Sequence, residues 1–600
     1  MTTDENATGA ELDRLNENLS RLEELSQRLV AAMANKRQVD PALHGPSQDV
    51  FVKAATAYWH EWLHNPAKII ETQAGYWGKM LQHYVDVQKT LSSGRLTAPP
   101  DDTPGDKRFA NPLWTTHPYF NFIKQNYLRT TQAIDDAVAA LDDLDDRDRQ
   151  KVSYFTHQII DMFAPTNFLA TNPDALERAV ETQGQSLVQG LENLVRDIEA
   201  HDGDLIVTLS DPKAFQVGEN LATTPGKVVF RNRLFELIQY APTTDTVHTT
   251  PLLIFPPWIN KFYILDMKEK NSLIKWIVDQ GFTLFVVSWV NPDASYADVG
   301  MDDYVAEGYL TAIEAVTAIT GETQINAVGY CIAGTTLSVT LALMAKRGDT
   351  SIKSATLFTT LTDFSDPGEV GVFLSDNFVD GIEKECARTG VLDNFFMSRT
   401  FSFLRSNDLI YGPAVRSYMM GETPPAFDLL HWNSDGTNLP GKMAVEYLRG
   451  LCQADRFATS GFTICGETVQ SGDVKTPLCA IACETDHIAP WKPSYLGVQK
   501  FGSRSKTFIL SQSGHIAGIV NPPSKKKYGH YTNTDLKLEP DAWLAGATFN
   551  EGSWWPRWGE WLAKKSGKQV PARSPGSAEY PPLAAAPGTY VIAQPKAQVS

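Results

Sequence analysis

The sequence predicts an α/β fold in two parts: a catalytic α/β domain with a cap insertion, preceded by a mostly helical N-terminal domain. Three observations carry this. From about Thr249, short apolar runs alternate with helical stretches, the texture of a parallel sheet with helices on both faces. Before that point the chain reads as helices, with no such alternation. One strand, Ile325 to Tyr330, ends in Gly329-Tyr-Cys-Ile-Ala333, with a helical stretch from Thr335 to Arg347 directly behind it. At 600 residues the chain is too long for one ordinary domain. We place the boundary at 245/246, so that 1–245 is the helical part and 246–600 the catalytic part.

Strand, sharp turn, helix is the setting of a nucleophile elbow, in which a strained turn lifts one side chain above the sheet. Gly329 and Ala333 are the small residues that let strand and helix approach on either side of Cys331. The bland alternative is a buried core cysteine, a common fate for this residue. Two later runs argue against it. Thr476 to Cys483 reads as a strand followed by Asp486, and Lys506 to Ser511 as a strand followed by Gly514-His515. Nucleophile, acid and histidine thus follow in the chain order of an α/β-hydrolase fold. Each sits just past the C-terminal end of a strand, where open α/β sheets build their sites.

In chain order, residues 1 to about 45 read as weakly ordered, with a helical stripe at Leu12, Leu15, Leu19, Leu22 and Leu29. Gln48 to about Leu91 is helical in pattern and rich in Tyr and Trp (Trp59, Trp62, Trp77). Such stripes are more often core than binding surface. Leu96 to Lys107 is a Pro/Gly linker. In the catalytic part, Pro251–Phe255, Thr283–Trp289, Ile325–Tyr330 and Ala355–Thr360 are strands, and Asp302–Ile319 a helix. Between about 363 and 472 the alternation lapses, where this architecture carries a cap or lid that excludes water. Trp543 to Trp561 reads as helical. From about 566 a Pro/Ala-rich tail is expected to pack poorly.

A net charge of -17 argues against a general nucleic-acid binder. The six cysteines show neither metal-ligand nor disulfide-framework spacing, so no metal is expected. No basic leader with an apolar core and no run of about 20 apolar residues is present, which points to a cytoplasmic protein without a transmembrane segment. A reducing compartment also suits a reactive thiol.

The chemistry follows from the residue types. A cysteine attacks as thiolate, and a nearby histidine is the usual means of generating one. Cys331 is therefore the nucleophile and His515 its base. Asp486 either orients His515 or acts on a substrate hydroxyl. The tetrahedral intermediate needs two N–H donors. One is the amide of Ile332. The other belongs to the loop Pro256–Lys261, where the two prolines cannot donate and Trp258 or Ile259 is the first that can. A thiolate attacking a thioester keeps the acyl group activated, so cysteine suits acyl transfer from coenzyme A. No resident cofactor is expected, since coenzyme A is a leaving group. Arg405 and Lys525–Lys527 are candidates for its phosphates.

These residues resemble a known family, the polyhydroxyalkanoate synthases. Gly329-Tyr-Cys-Ile-Ala-Gly334 is similar to the family's modified lipase box, with Ala333 in place of a glycine. Pro256-Pro-Trp-Ile-Asn-Lys261, Trp432-Asn-Ser-Asp-Gly-Thr-Asn-Leu-Pro440, Asp486-His-Ile-Ala-Pro-Trp491 and Ser513-Gly-His-Ile-Ala-Gly518 match as well. In the helical part Asp106 to Trp114 does so too. The resemblance runs from about residue 50 onward and is to the class I type. It implies polymerisation of (R)-3-hydroxyacyl-CoA, 3-hydroxybutyryl-CoA above all, with Cys331 carrying the growing chain and Asp486 assisting the attack of the 3-hydroxyl. It further implies a homodimer at the surface of cytoplasmic polyester granules, with phasin-type granule proteins as partners. The nearest rivals are a cysteine acyl-CoA thioesterase of the same fold and a non-catalytic granule protein.

Overall fold

The computed structural model describes residues 2–34, 105–141 and 144–593. The aromatic stripe at Trp59, Trp62 and Trp77 lies outside them. The chain forms two compact units, 1–211 with 401–425, and 212–400 with 426–600.

The first unit is helical. Its first helix runs from Thr2 to Ala34, where the sequence pointed to weak order. Leu25 is buried, and Arg21 and Arg28 pair with Glu192 and Glu199 at 2.7 Å each. Seven residues separate the partners on both helices, so this helix and Gln185–Glu199 run parallel with one repeated contact. Residues 401–425, expected within the cap, belong here. Asn193 Nδ2 donates to the carbonyls of Ser417 (3.0 Å) and Glu422 (3.1 Å), and the Tyr418 hydroxyl to Asp197 (2.8 Å). Gly190 permits the approach, since a Cβ there would lie 2.0 Å from the Tyr418 carbonyl oxygen.

The second unit is built on eleven strands: β1 (Gly226–Arg231), β2 (Phe235–Tyr240), β3 (Leu252–Phe255), β4 (Leu284–Trp289), β5 (Ile325–Tyr330), β6 (Ile352–Phe358), β7 (Leu478–Cys483), β8 (Lys506–Ser511), β9 (His530–Thr532), β10 (Thr548–Asn550) and β11 (Ala584–Ala585). They lie in the order β10-β9-β8-β7-β6-β5-β3-β4-β2-β1-β11. The block from β4 to β8 is parallel, and the flanking strands are antiparallel. All residues of β2 to β5 are buried, as near-continuous apolar runs covered on both faces should be.

This arrangement corrects three expectations. The boundary falls at 211/212 rather than 245/246, because β1 and β2 belong to the catalytic sheet. The cap is shorter, because 401–425 is shared with the helical unit. The tail from 566 is packed. Its β11 pairs with β1, Val591 is buried, and the buried carboxylate of Glu236 accepts from the amides of Thr589 (2.8 Å) and Tyr590 (3.0 Å). These contacts join segments far apart in the chain and follow no periodic pattern, so composition did not announce them. The stretch 543–561 also divides, into helix Pro540–Ala545, β10, and helix Trp555–Ala563.

Near the cap, Asp455 takes a left-handed φ of 45° and accepts from the Phe364 amide at 3.0 Å. Burial, with Asp363 close by, pushes its carboxyl up to about 6. Its charge therefore opposes folding above that pH, and the cost vanishes as pH falls below the unfolded value. Asn tolerates this φ and carries no charge. Asp455→Asn should raise stability by roughly 1–2 kcal/mol at pH 8 and by nothing near pH 4. Urea unfolding at the two pH values checks this.

Candidate active site

The elbow forms where β5 meets the helix Ile332–Lys346. Cys331 adopts φ 55°, ψ -126°, a conformation that side chains rarely occupy. Such strain persists only when neighbours over-determine it. The Cys331 amide donates to the Phe358 carbonyl (2.8 Å), and Thr360 Oγ1 donates to the Cys331 carbonyl (3.2 Å). The Tyr309 hydroxyl, on a π-helical turn, donates to the carbonyl of Ala333 at 3.0 Å.

Ala333 does not loosen this turn. The tight approach is between Gly329 and Gly334, where a Cβ on Gly329 would lie 2.5 Å from the Gly334 Cα. A Cβ on Gly334 would meet Thr360 Oγ1 at 2.0 Å. Gly329→Ala should cost about 1–3 kcal/mol, since backbone rather than a flexible side chain must yield. A lowered thermal midpoint with reduced thiol reactivity is the expected readout.

The structure brings the three predicted residues together. His515 Nδ1 lies 2.7 Å from Asp486 Oδ2, and Cys331 acts electrostatically on the same ring. Burial opposes charge on this imidazole. Asp486 and Cys331 outweigh it and raise His515 to about 10. The other Asp486 oxygen, Oδ1, accepts from the amides of Ile488 (2.8 Å) and Ala489 (2.9 Å). Both carboxylate oxygens are thus engaged, one by backbone and one by the imidazole.

The histidine loop is held from below. The indole N–H groups of Trp554 and Trp555 donate to the carbonyls of Gly518 (2.7 Å) and Ile519 (2.8 Å). This is what the aromatic stretch near 554 does, beyond filling the core. Gly518 is needed because a Cβ there would lie 2.4 Å from Cys483 Sγ. Tyr330, quoted above only as part of a motif, stacks on the His515 ring at 5.9 Å and donates to its carbonyl at 3.3 Å.

For the oxyanion donors, Phe255 at the end of β3 pairs with Gly329 in β5. The loop Pro256–Lys261 therefore leaves the sheet beside the elbow. Trp258 Nε1 donates to Thr336 Oγ1 at 3.3 Å, tying the loop to the first turn of the nucleophile helix. Arg405 belongs to the helical unit, where its guanidinium pairs with Asp408. Among the described residues no group of His, Cys, Asp and Glu is arranged to hold a metal ion, and no helix is long and apolar enough to cross a membrane.

Residues 105–277 match the family described as "Poly-beta-hydroxybutyrate polymerase (PhaC) N-terminus", and residues 251–522 match the alpha/beta hydrolase fold. The chain is 42% identical over 560 residues to a poly(3-hydroxyalkanoate) polymerase of Methylorubrum extorquens, covering 92% of this chain and 91% of that one. It is 40% identical to a poly(3-hydroxyalkanoate) polymerase subunit of Rhizobium meliloti (90% and 88% covered). A corresponding subunit of Cupriavidus necator is 41% identical (82% and 83% covered).

Proposed function

The chain belongs to the poly(3-hydroxyalkanoate) polymerases, and from that premise we propose that it builds its polyester from (R)-3-hydroxyacyl-CoA through an acyl group carried on Cys331. As a polymerase of this kind it is an acyltransferase. The observation that supports the cysteine route is Cys331 in the strained elbow, acting on the His515 ring that Asp486 holds. His515 takes the thiol proton. The thiolate attacks the thioester carbonyl, and the amides of Ile332 and Ile259 receive the developing oxyanion. Collapse breaks the carbon–sulfur bond to coenzyme A, and His515 returns the proton to that sulfur. The 3-hydroxyl of the next monomer, still a CoA thioester, then gives its proton to the same imidazole and attacks the acyl thioester. The bond from the acyl group to Cys331 breaks, the proton returns to the Cys331 sulfur, and the elongated acyl-CoA acylates Cys331 again with release of CoA. The monomer is 3-hydroxybutyryl-CoA or a similar short-chain thioester.

Because the product is water-insoluble and stays attached while it grows, we place the enzyme at the polyester granule surface in the cytoplasm. A homodimer and phasin-type partners belong to the same proposal.

Incubation with 3-hydroxybutyryl-CoA tests it. Released CoA with insoluble polyester is the expected result. Free 3-hydroxybutyrate in proportion to CoA would mean a thioesterase, and no CoA release a non-catalytic protein. Asp486 has a separate prediction. Since its oxygens are committed to His515 and to two amides, it acts on the substrate hydroxyl only through the imidazole. Asp486→Asn should slow acylation of Cys331 and elongation alike, by about 10²-fold or more. Rapid-quench measurement of CoA release and of polymer mass checks this. Normal acylation with failed elongation would give Asp486 the direct role at the 3-hydroxyl.

A further inference from the structure

Six contacts join the stretch Pro256–Tyr263 to the segment Trp432–Thr437, far away in the chain. Lys261 Nζ donates to Asp435 Oδ1 at 2.6 Å, with the Lys261 side chain only 3% exposed. The Tyr263 hydroxyl donates to the other Asp435 oxygen at 2.9 Å, and Trp432 Nε1 to the Lys261 carbonyl at 2.8 Å. Asn260 and Gly436 form a β-bridge. Thr437 then grips the loop twice. Its hydroxyl donates to the Trp258 carbonyl at 2.8 Å, and its amide to the Ile259 carbonyl at 3.2 Å.

The Trp258 carbonyl and the Ile259 N–H belong to one peptide group. A trans peptide is planar, with the carbonyl and the N–H pointing in opposite directions. Holding the carbonyl toward Thr437 therefore aims the N–H away from it. We propose that Thr437, anchored by the Lys261–Asp435 pair, is the positioning residue that orients the second oxyanion donor for acyl transfer. This rests on the acyl-cysteine reading above. The buried ion pair is suited to anchoring, because one geometry satisfies both charges and any slip of the loop leaves them unpaired in a dry site. Donors stabilise a transition state only when fixed in advance, and removing one costs about 10²-fold or more. A loop with its proline-rich start has few internal hydrogen bonds with which to fix itself.

The test uses the full chain with Thr437→Val, which keeps shape and the backbone bond but removes the hydroxyl, and Thr437→Ser, which restores it. Two rates at Cys331 are compared: acylation by 3-hydroxybutyryl-CoA and alkylation by iodoacetamide. Alkylation needs the thiolate but no oxyanion donor. Thr437→Val should acylate about 10²-fold more slowly with alkylation unchanged, and Thr437→Ser should recover most of the loss. Tyr263→Phe, a milder change to the anchor than breaking the ion pair, should show the same split on a smaller scale. Wild-type acylation in Thr437→Val would overturn the inference while leaving the polymerase reading intact. Equal slowing of both rates would also overturn it, by showing a general disturbance of the site. A wild-type chain that releases no CoA would overturn the functional reading itself.

Discussion

Cys331→Ala should release no CoA above the uncatalysed background and form no polyester. The side chain is the only acyl carrier in the scheme, so no partial route survives its loss. Cys331→Ser is the more informative variant. Serine fits the same strained elbow, and His515 can still accept its proton. The acyl group would pass from a thioester to a lower-energy oxoester, from which transfer to the next hydroxyl is less favourable. We expect slow uptake of one acyl group and little chain growth. Mass spectrometry of the quenched protein, beside measurement of polymer, distinguishes the variants. CoA release by Cys331→Ala at the wild-type rate would remove the cysteine from the mechanism.

His515→Gln should lower CoA release by about 10²–10⁴-fold, the usual contribution of a positioned base. The pH dependence is specific. The folded protein holds the imidazole at about 10, above its ordinary value, because Asp486 and Cys331 outweigh the cost of burial. The protonated ring is therefore favoured by folding. Its stabilising contribution is fully present below about pH 6.5 and is lost as pH rises through about 10. Around neutral pH the site thus holds an imidazolium beside the sulfur. Iodoacetamide should alkylate Cys331 rapidly at pH 7 in the wild type, and much more slowly in His515→Gln. An alkylation rate indifferent to the substitution would break the link between the two residues.

The triad was legible because catalytic side chains in this architecture follow strand ends, and strands of a parallel sheet announce themselves as apolar runs. Cys331, Asp486 and His515 each come within a few residues of such a run, and the folded chain sets Asp486 against the His515 ring. The clamp on the oxyanion loop was not legible. Lys261 and Asp435 are 174 residues apart, and each alone looks like an ordinary charged residue. Trp432 to Pro440 could be quoted as a motif, yet nothing in it says that Thr437 holds the Trp258 carbonyl. The two backbone amides that Asp486 Oδ1 accepts from were likewise not legible in the sequence.

Residue type and local spacing were enough to read the parallel sheet and the elbow and to nominate the thiol, imidazole and carboxylate, because each is marked by residues close together in the chain. The domain boundary, the docking of 401–425 in the helical unit, the ordered tail and the grip of Thr437 on the Trp258 and Ile259 carbonyls came only with the folded chain. They depend on backbone hydrogen bonds and buried charge pairs between distant segments, whose partners are chosen by three-dimensional proximity and leave no period in the sequence.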